Sequence, residues 1–555
     1  MKQLILTINI FLFIVIVTTL TSCEDFISTD TNRVMLSDDN VLNSPNDTVY
    51  SIIGILTKVQ KLSDKYVLLG ELRGDLMDVT VNSETELRDL SNFSIDSTSS
   101  SFSDVKDFYA VINNCNFLIQ KADTTITSSG EKPFIKEMSI AKSIRAWTYL
   151  QLVLNFGKAT YFEKPLLTVN DTKETFPVYD LKQIIDTLIS GLTPLVNIKV
   201  PIYGSIDGVE SKYLYINPNF LLGDLYLWKA SLNGGNVADC EKAAINYSNL
   251  IEKEKYKIVS DDAVKWTNQS FTGFSNSWSN IIYSTVANTE LITTIKMSTF
   301  GLNGTTGTLA DLASNYKLTA SKRIIELFAE QTYAFPNTTA VPNIPIYNSG
   351  DLRQNGTLSF TTRDMNNDGT LLSAGSNIIL KLLNNNIVVY RVGLLYLRYA
   401  EAVNRAGKPG LAYAVLKYGL NPISLTDTKK VPASDLIPAK NYFAMFNDAD
   451  YSANVGVHSR GCGRSDINGR YIIPLTVNTK ADSIVFVENA ICDELALETA
   501  FEGNRFHDLM RMSYFRNDPA FLADKIAQKH TDYSYYFNLL VDTNNWLIPL
   551  KKYYQ

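Results

Sequence analysis

Hydrophobic positions along the chain fall into three kinds of pattern. From Leu4 to Leu20 they form a nearly unbroken run, interrupted only by Thr7, Asn9, Thr18 and Thr19. In EMSIAKSIRAWTYLQLVLNFG, which opens at Glu137, the residues Ile140, Ile144, Trp147, Leu150 and Leu154 recur at three- and four-residue steps. Pro133 lies ahead of this stretch and Gly157 closes it, so the pattern predicts an amphipathic helix with a glycine stop. NPNFLLGDLYLWKA from Asn217 and RVGLLYLRYAEAVNRAG from Arg391 read the same way, and the stripes place Trp147 and Trp228 in the core. Between 258 and 390 the texture changes to Ser, Thr, Asn and Gly with β-branched runs, as in ELITTIKM at 290–297 and GTLSFTTRDMNNDGTLL from Gly356. Short strands and long loops are expected there.

The helical stretches pair. Ala400, Ala412, Leu416 and Gly419 follow the 12, 4 and 3 spacing with which a tetratricopeptide unit places small residues where its two helices touch. Around Gly223 the same match requires an insertion at NGGN, after which Ala243, Tyr247 and Leu250 restore the second helix. The units lie much further apart than the roughly 34-residue period of a plain solenoid, so loops and small sheets must fill the gaps.

The first apolar run changes what the remainder can be. Lys2 precedes it, and it ends in small residues before Cys23, short of the about 20 apolar residues that a spanning helix needs. Leu20, Thr21, Ser22 and Cys23 resemble a bacterial lipobox, in which the cysteine thiol is alkylated by diacylglycerol and the chain is cut just before it. Acyl chains on Cys23 would then hold the protein to a membrane, and polar, turn-rich residues up to NSPND would form a tether. With 45% apolar, 11% aromatic and 19% charged residues the composition is globular. A net charge of −6 offers no basic field for a phosphate backbone, so nucleic acid is not an expected partner. Cys115, Cys240, Cys462 and Cys492 are far apart, show no CxxC spacing and share the chain with only three histidines, at 458, 507 and 530. Metal ligation is therefore not expected; two disulfides or four separate core thiols both remain open.

Two motifs suggest chemistry. In DMNNDGT, Asp364, Asn366, Asp368 and Gly369 match the first half of a calcium loop, but Gly375 stands where the closing glutamate belongs, and an Asx-rich turn is the plainer reading. In ELALETAFEGNRFHDLMR, the residues Glu498, Glu502, His507 and Asp508 have the chemical types of an acid, a base and an orienting group. Their spacing, with Arg505 three after Glu502 and Arg511 three after Asp508, instead predicts exposed helical ion pairs.

These features accumulate into a family resemblance. The lipobox followed by Glu24 and Asp25, the helix AKSIRAWTYLQLVLNFG, LTASKRIIELF followed by DLR at 351–353, YRVGLLYLRYAEAVNRAG, the FEGNRFHDLMR segment and a closing WLIPL together resemble the SusD/RagB family of outer-membrane nutrient-binding lipoproteins. His507 departs from the family's usual pattern after Phe506. The resemblance implies a mainly α, SusD-like fold, with four tetratricopeptide-like helix pairs framing an irregular face of loops and short strands that binds ligand. It implies a signal peptide over 1–22, a lipidated tether over 23–48, a helical N-terminal region over 49–257 and a loop-rich C-terminal region over 258–555. It further implies capture of oligosaccharides at the cell exterior for a SusC-like TonB-dependent barrel, without catalysis or cofactor. A peptide-capturing relative, a lipid-anchored glycoside hydrolase and a purely structural helical scaffold are the alternatives. By region, ligand contacts are expected at Arg73, Asp75 and Asp78 and in the window holding Trp278, Phe300 and Tyr316, since sugar sites combine aromatic walls with few polar anchors.

Overall fold

The computed structural model describes residues 47–127, 130, 132–258, 289–297, 307–336, 345–360, 377–384, 386–436 and 442–551. The stretch expected to be a signal peptide, Cys23 and nearly all of the expected tether lie outside these residues, as do Trp278, Phe300, Asp364, Asn366 and Asp368. No helix among the described residues is long and apolar enough to cross a membrane.

Helices dominate. Those of six or more residues are α1 (Asp47–Gln60), α2 (Ser63–Glu71), α3 (Thr85–Ser91), α4 (Lys106–Lys121), α5 (Pro133–Phe156), α6 (Leu181–Leu192), α7 (Pro218–Leu232) and α8 (Val237–Glu254), followed by α9 (Leu309–Ser314), α10 (Lys322–Glu330), α11 (Val392–Arg405), α12 (Pro409–Lys417), α13 (Lys480–Thr499), α14 (Arg505–Arg516), α15 (Pro519–Ala527) and α16 (Tyr533–Leu540). Their ends have local causes. Gly157 adopts φ 77° and receives the last turn of α5, a left-handed cap that glycine takes without steric cost. Asp180 and Gln183 form a reciprocal capping box at the start of α6, as do Thr479 and Asp482 at α13. Asn217 caps α7, with Pro218 at the first helical position, where its missing N–H costs nothing.

Consecutive helices pack on one another: α4 on α5, α7 on α8, α11 on α12, and α15 on α16. Small residues set the closest approaches. A Cβ on Gly223 of α7 would lie 2.3 Å from the Tyr247 ring of α8, so that aromatic side chain lies flat where a side chain is missing. Ala400, Ala412 and Leu416 are completely buried between α11 and α12, and Gly419 turns away at φ 74° against the Asn454 carbonyl. One continuous apolar cluster runs from Ile52 to Ile548 and includes Trp147 and Trp228. The four described cysteines are buried free thiols.

Every described sheet is two-stranded. Two of them join distant parts of the chain. β1 (Met77–Val79) pairs antiparallel with β3 (Leu318–Ala320), and β2 (Leu291–Lys296), the core of ELITTIKM, pairs antiparallel with β4 (Asn386–Arg391) immediately before α11.

Candidate functional site

The FEGNR segment is an interior joint. α13 ends at Thr499, Phe501 takes φ 69° and Gly503 φ 90°, and α14 begins at Arg505. The loop so formed closes around Glu71, the last residue of α2, which is fully buried. One carboxylate oxygen accepts the N–H groups of Gly503 at 2.8 Å, Asn504 at 2.9 Å and Arg505 at 3.3 Å, and the other accepts that of Phe501 at 3.0 Å. Burial pushes the Glu71 carboxyl up to about 7, against these four amides that favour its charge. α2 and this loop approach so closely that a Cβ on Gly70 would lie 1.9 Å from the Gly503 carbonyl oxygen.

Beside this joint lies an ionic centre. Glu498 receives Arg460 at 2.7 Å, Arg391 at 2.8 Å and Arg353 at 2.8 Å. Glu290 binds Arg391 and Arg460, Asp351 and Glu494 bind Arg353, and Glu502 binds Lys381 and Arg391. His458 completes the group against Glu494 at 2.9 Å. Burial alone would raise the Glu498 carboxyl, but the guanidinium groups of Arg460, Arg391 and Arg353 hold it far below the usual range. The exposed helical ladder expected here is thus corrected in part. Asp508 and Arg511 do pair three apart at 2.9 Å, but Glu502 lies beyond the end of its helix, Arg505 pairs with Asp75, and all of these groups are buried. His507 instead faces Asn155, its Nε2 3.1 Å from Oδ1. The acid, base and orienting types of the motif therefore do not converge on one open cleft.

The residues nominated for ligand contact separate. Asp75 is fully buried and bound by Arg505 through two contacts, at 2.6 and 2.8 Å; burial raises its carboxyl, and Arg505 brings it below the ordinary range. Asp78 and Tyr316 come together at the β1–β3 rim. Asp78 sits opposite Thr319, and the Thr80 hydroxyl donates to the Tyr316 carbonyl. Tyr316 is held at φ 53°, a left-handed conformation that a bulky residue rarely takes, and both side chains are half-buried. Lys529 fixes the approach by donating to the carbonyls of Leu72 and Met77 at 2.7 and 3.2 Å.

Arg73 lies between these places, 2% exposed, on the floor of a cleft of about 290 Å³ that Phe93, Ile95, Asn544, Asn545 and Ile548 also line. This is near the lower end of the range for small-molecule sites. Its Nε donates to the Leu69 carbonyl at 2.8 Å and its Nη1 to the Trp546 carbonyl at 2.7 Å, while Nη2 donates to Asn155 Oδ1. The guanidinium lies 4.0 Å from the centre of the Phe506 ring. Burial lowers Arg73 to about 9. Phe93, at φ 57°, and Asn544 and Asn545 carry no local signal in the sequence; what joins them to Arg73 is tertiary packing.

The comparisons with known proteins can be set against this geometry. Residues 334–554 match the SusD family model. A comparison with curated proteins finds no match. Among solved structures, a SusD superfamily protein from Bacteroides thetaiotaomicron is similar with a TM-score of 0.58 at 16% identity, covering 92% of this chain and 96% of that one. A SusD superfamily protein from Bacteroides vulgatus is similar with a TM-score of 0.59 at 15% identity, covering 90% and 93%. Surface glycan-binding protein A from Bacteroides uniformis is similar with a TM-score of 0.58 at 16% identity, covering 92% and 97%. SusD-family sequence thus spans residues 334–554, and the fold of about nine-tenths of the chain is shared with these solved structures.

Proposed function

We propose that the protein is a lipid-anchored, outward-facing outer-membrane binding protein that captures oligosaccharides and passes them to a SusC-like TonB-dependent barrel. The observation that carries this reading is SusD-family sequence on the fold shared with a surface glycan-binding protein. The geometry agrees with capture: the charged groups of the FEGNR segment are used internally, leaving the β1–β3 rim and the Arg73 cleft as places where polar anchors meet aromatic or apolar walls. Asp78 and Tyr316 at the rim, with Trp278 and Phe300, are the proposed contacts, and Cys23 is the proposed lipid attachment site.

Calorimetry of the mature protein against panels of oligosaccharides and peptides tests the reading. Binding of at least one oligosaccharide, weakened about tenfold or more by Asp78→Ala or Trp278→Ala without loss of folding, is expected; binding of peptides alone would replace it with peptide capture. Cys23→Ala should release the protein from membranes, and continued retention would remove the lipid anchor from the proposal.

A further inference from the structure

Among the described residues, buried arginines follow a rule with one exception. Arg145, Arg353, Arg391, Arg398, Arg405, Arg460, Arg505 and Arg511 each lie within ion-pair distance of at least one carboxylate. Arg73, equally enclosed, has none among the described residues: its partners are two backbone carbonyls, an amide oxygen, an aromatic face and, at 3.4 Å, a ring nitrogen of His507. His507 supplies no negative charge, and burial holds it neutral by pushing its pKa well below the usual value. A guanidinium has five N–H donors, and Nη1 spends one of its two on the Trp546 carbonyl; the second meets no acceptor among the described residues. An enclosed charge without a counter-charge is costly, and here the same side chain that packs on Phe506 also lines the cleft of about 290 Å³.

Resting on the proposed role in glycan capture, we propose that this cleft receives an acidic sugar, with Arg73 taking the carboxylate of a uronic acid residue. The other lining groups suit the remainder of such a ring. Phe93 and Ile95 offer apolar surface to the C–H face of a pyranose. Asn544 and Asn545 each use the amide nitrogen internally, on Asp542 and on the Leu539 carbonyl, and their amide oxygens have no donor among the described residues, leaving two acceptors for sugar hydroxyls. A neutral sugar would satisfy the amides and the wall but leave the guanidinium uncompensated, so the site should discriminate by charge and not only by shape.

The test uses the mature chain and calorimetry with digalacturonate, its neutral counterpart digalactose and a tripeptide with a free C-terminal carboxylate. Wild-type protein is expected to bind digalacturonate at least tenfold more tightly than digalactose, Arg73→Met to lose that preference, and Asn544→Trp, a change at an exposed position, to block the cleft and abolish acid binding. Equal affinity for the acidic and neutral disaccharides would overturn the carboxylate assignment while leaving glycan capture standing. Binding of the tripeptide with neither disaccharide bound would overturn both. If Arg73→Met fails to fold, the decision passes to Asn544→Trp: unchanged digalacturonate affinity in that variant removes the cleft as its site.

Discussion

Arg391 and Arg73 are both enclosed guanidiniums, held in opposite ways. Arg391 meets three carboxylates, from Glu290, Glu498 and Glu502, and despite burial its pKa is raised well above the ordinary value. Arg73 meets only neutral acceptors and a ring face, and burial lowers it to about 9. Carboxylates brought to Arg391 of β4 from the residue before β2, from α13 and from the FEGNR loop make the first region a clamp between distant segments; the second is a cation held in place but not neutralised. The difference teaches that burial alone does not reveal what a charged group is for. An ionic network complete within the chain reads as architecture, and an incomplete one beside a cleft reads as a place for something from outside.

The comparison can be broken most forcefully at Glu498. Replacing it with Ala leaves Arg353, Arg391 and Arg460 each short of a partner, and a loss of about 3–5 kcal/mol in urea unfolding is expected. A loss below about 1 kcal/mol would show that the ionic centre is not the clamp described. Gly70→Ala forces a methyl group into the Gly503 carbonyl and should cost about 2–3 kcal/mol, read in the same experiment. Arg73→Met should cost less, about 1–2 kcal/mol, because three hydrogen bonds are lost but an uncompensated charge goes with them. If Arg73→Met proved more damaging than Glu498→Ala, the contrast between the regions would collapse.

The comparison can also be sharpened by titration. Glu401 lies among Arg398, Arg405 and Arg511; burial raises its carboxyl, but the guanidinium groups bring it down to about 2 from 4.5. A depressed folded-state value means that the unfolded chain binds the proton first, so the Glu401 contribution is complete above about pH 4.5 and disappears as pH falls toward 2. Arg73 has the same sense on the alkaline side: burial lowers its folded-state value to about 9, so the folded chain sheds its proton before the unfolded chain does, and its contribution also rises with pH. Urea midpoints in Glu401→Gln that keep the wild-type decline between pH 4.5 and 2 would remove Glu401 from that account.

How much of this was legible depended on whether the cause was local. The α5 stripe with its glycine stop, the Gly223–Tyr247 helix contact and the strand in ELITTIKM follow from periodicity and small residues within a few turns of chain. The fate of Glu502 does not. Helical spacing sets it three before Arg505, but the left-handed conformation at Phe501 ends the period, and its partners Lys381 and Arg391 arrive from more than a hundred positions away. For the same reason Arg73 was selected by region but not with the neighbours that define its environment, and Asp75, selected beside it, turns inward to Arg505.

The hydrogen bond from Arg73 to the Trp546 carbonyl spans 473 positions. Nearby, the Ile548 amide donates to the Asn155 carbonyl and the Lys551 amide to that of Ser103. The cleft is thus closed by nearly the last described residues, and loop-closure entropy must be met across almost the full chain before its floor exists. A polypeptide emerging from its ribosome or crossing a membrane in extended form can gather its helix pairs early, yet it has no such cleft until residues 544–549 are out.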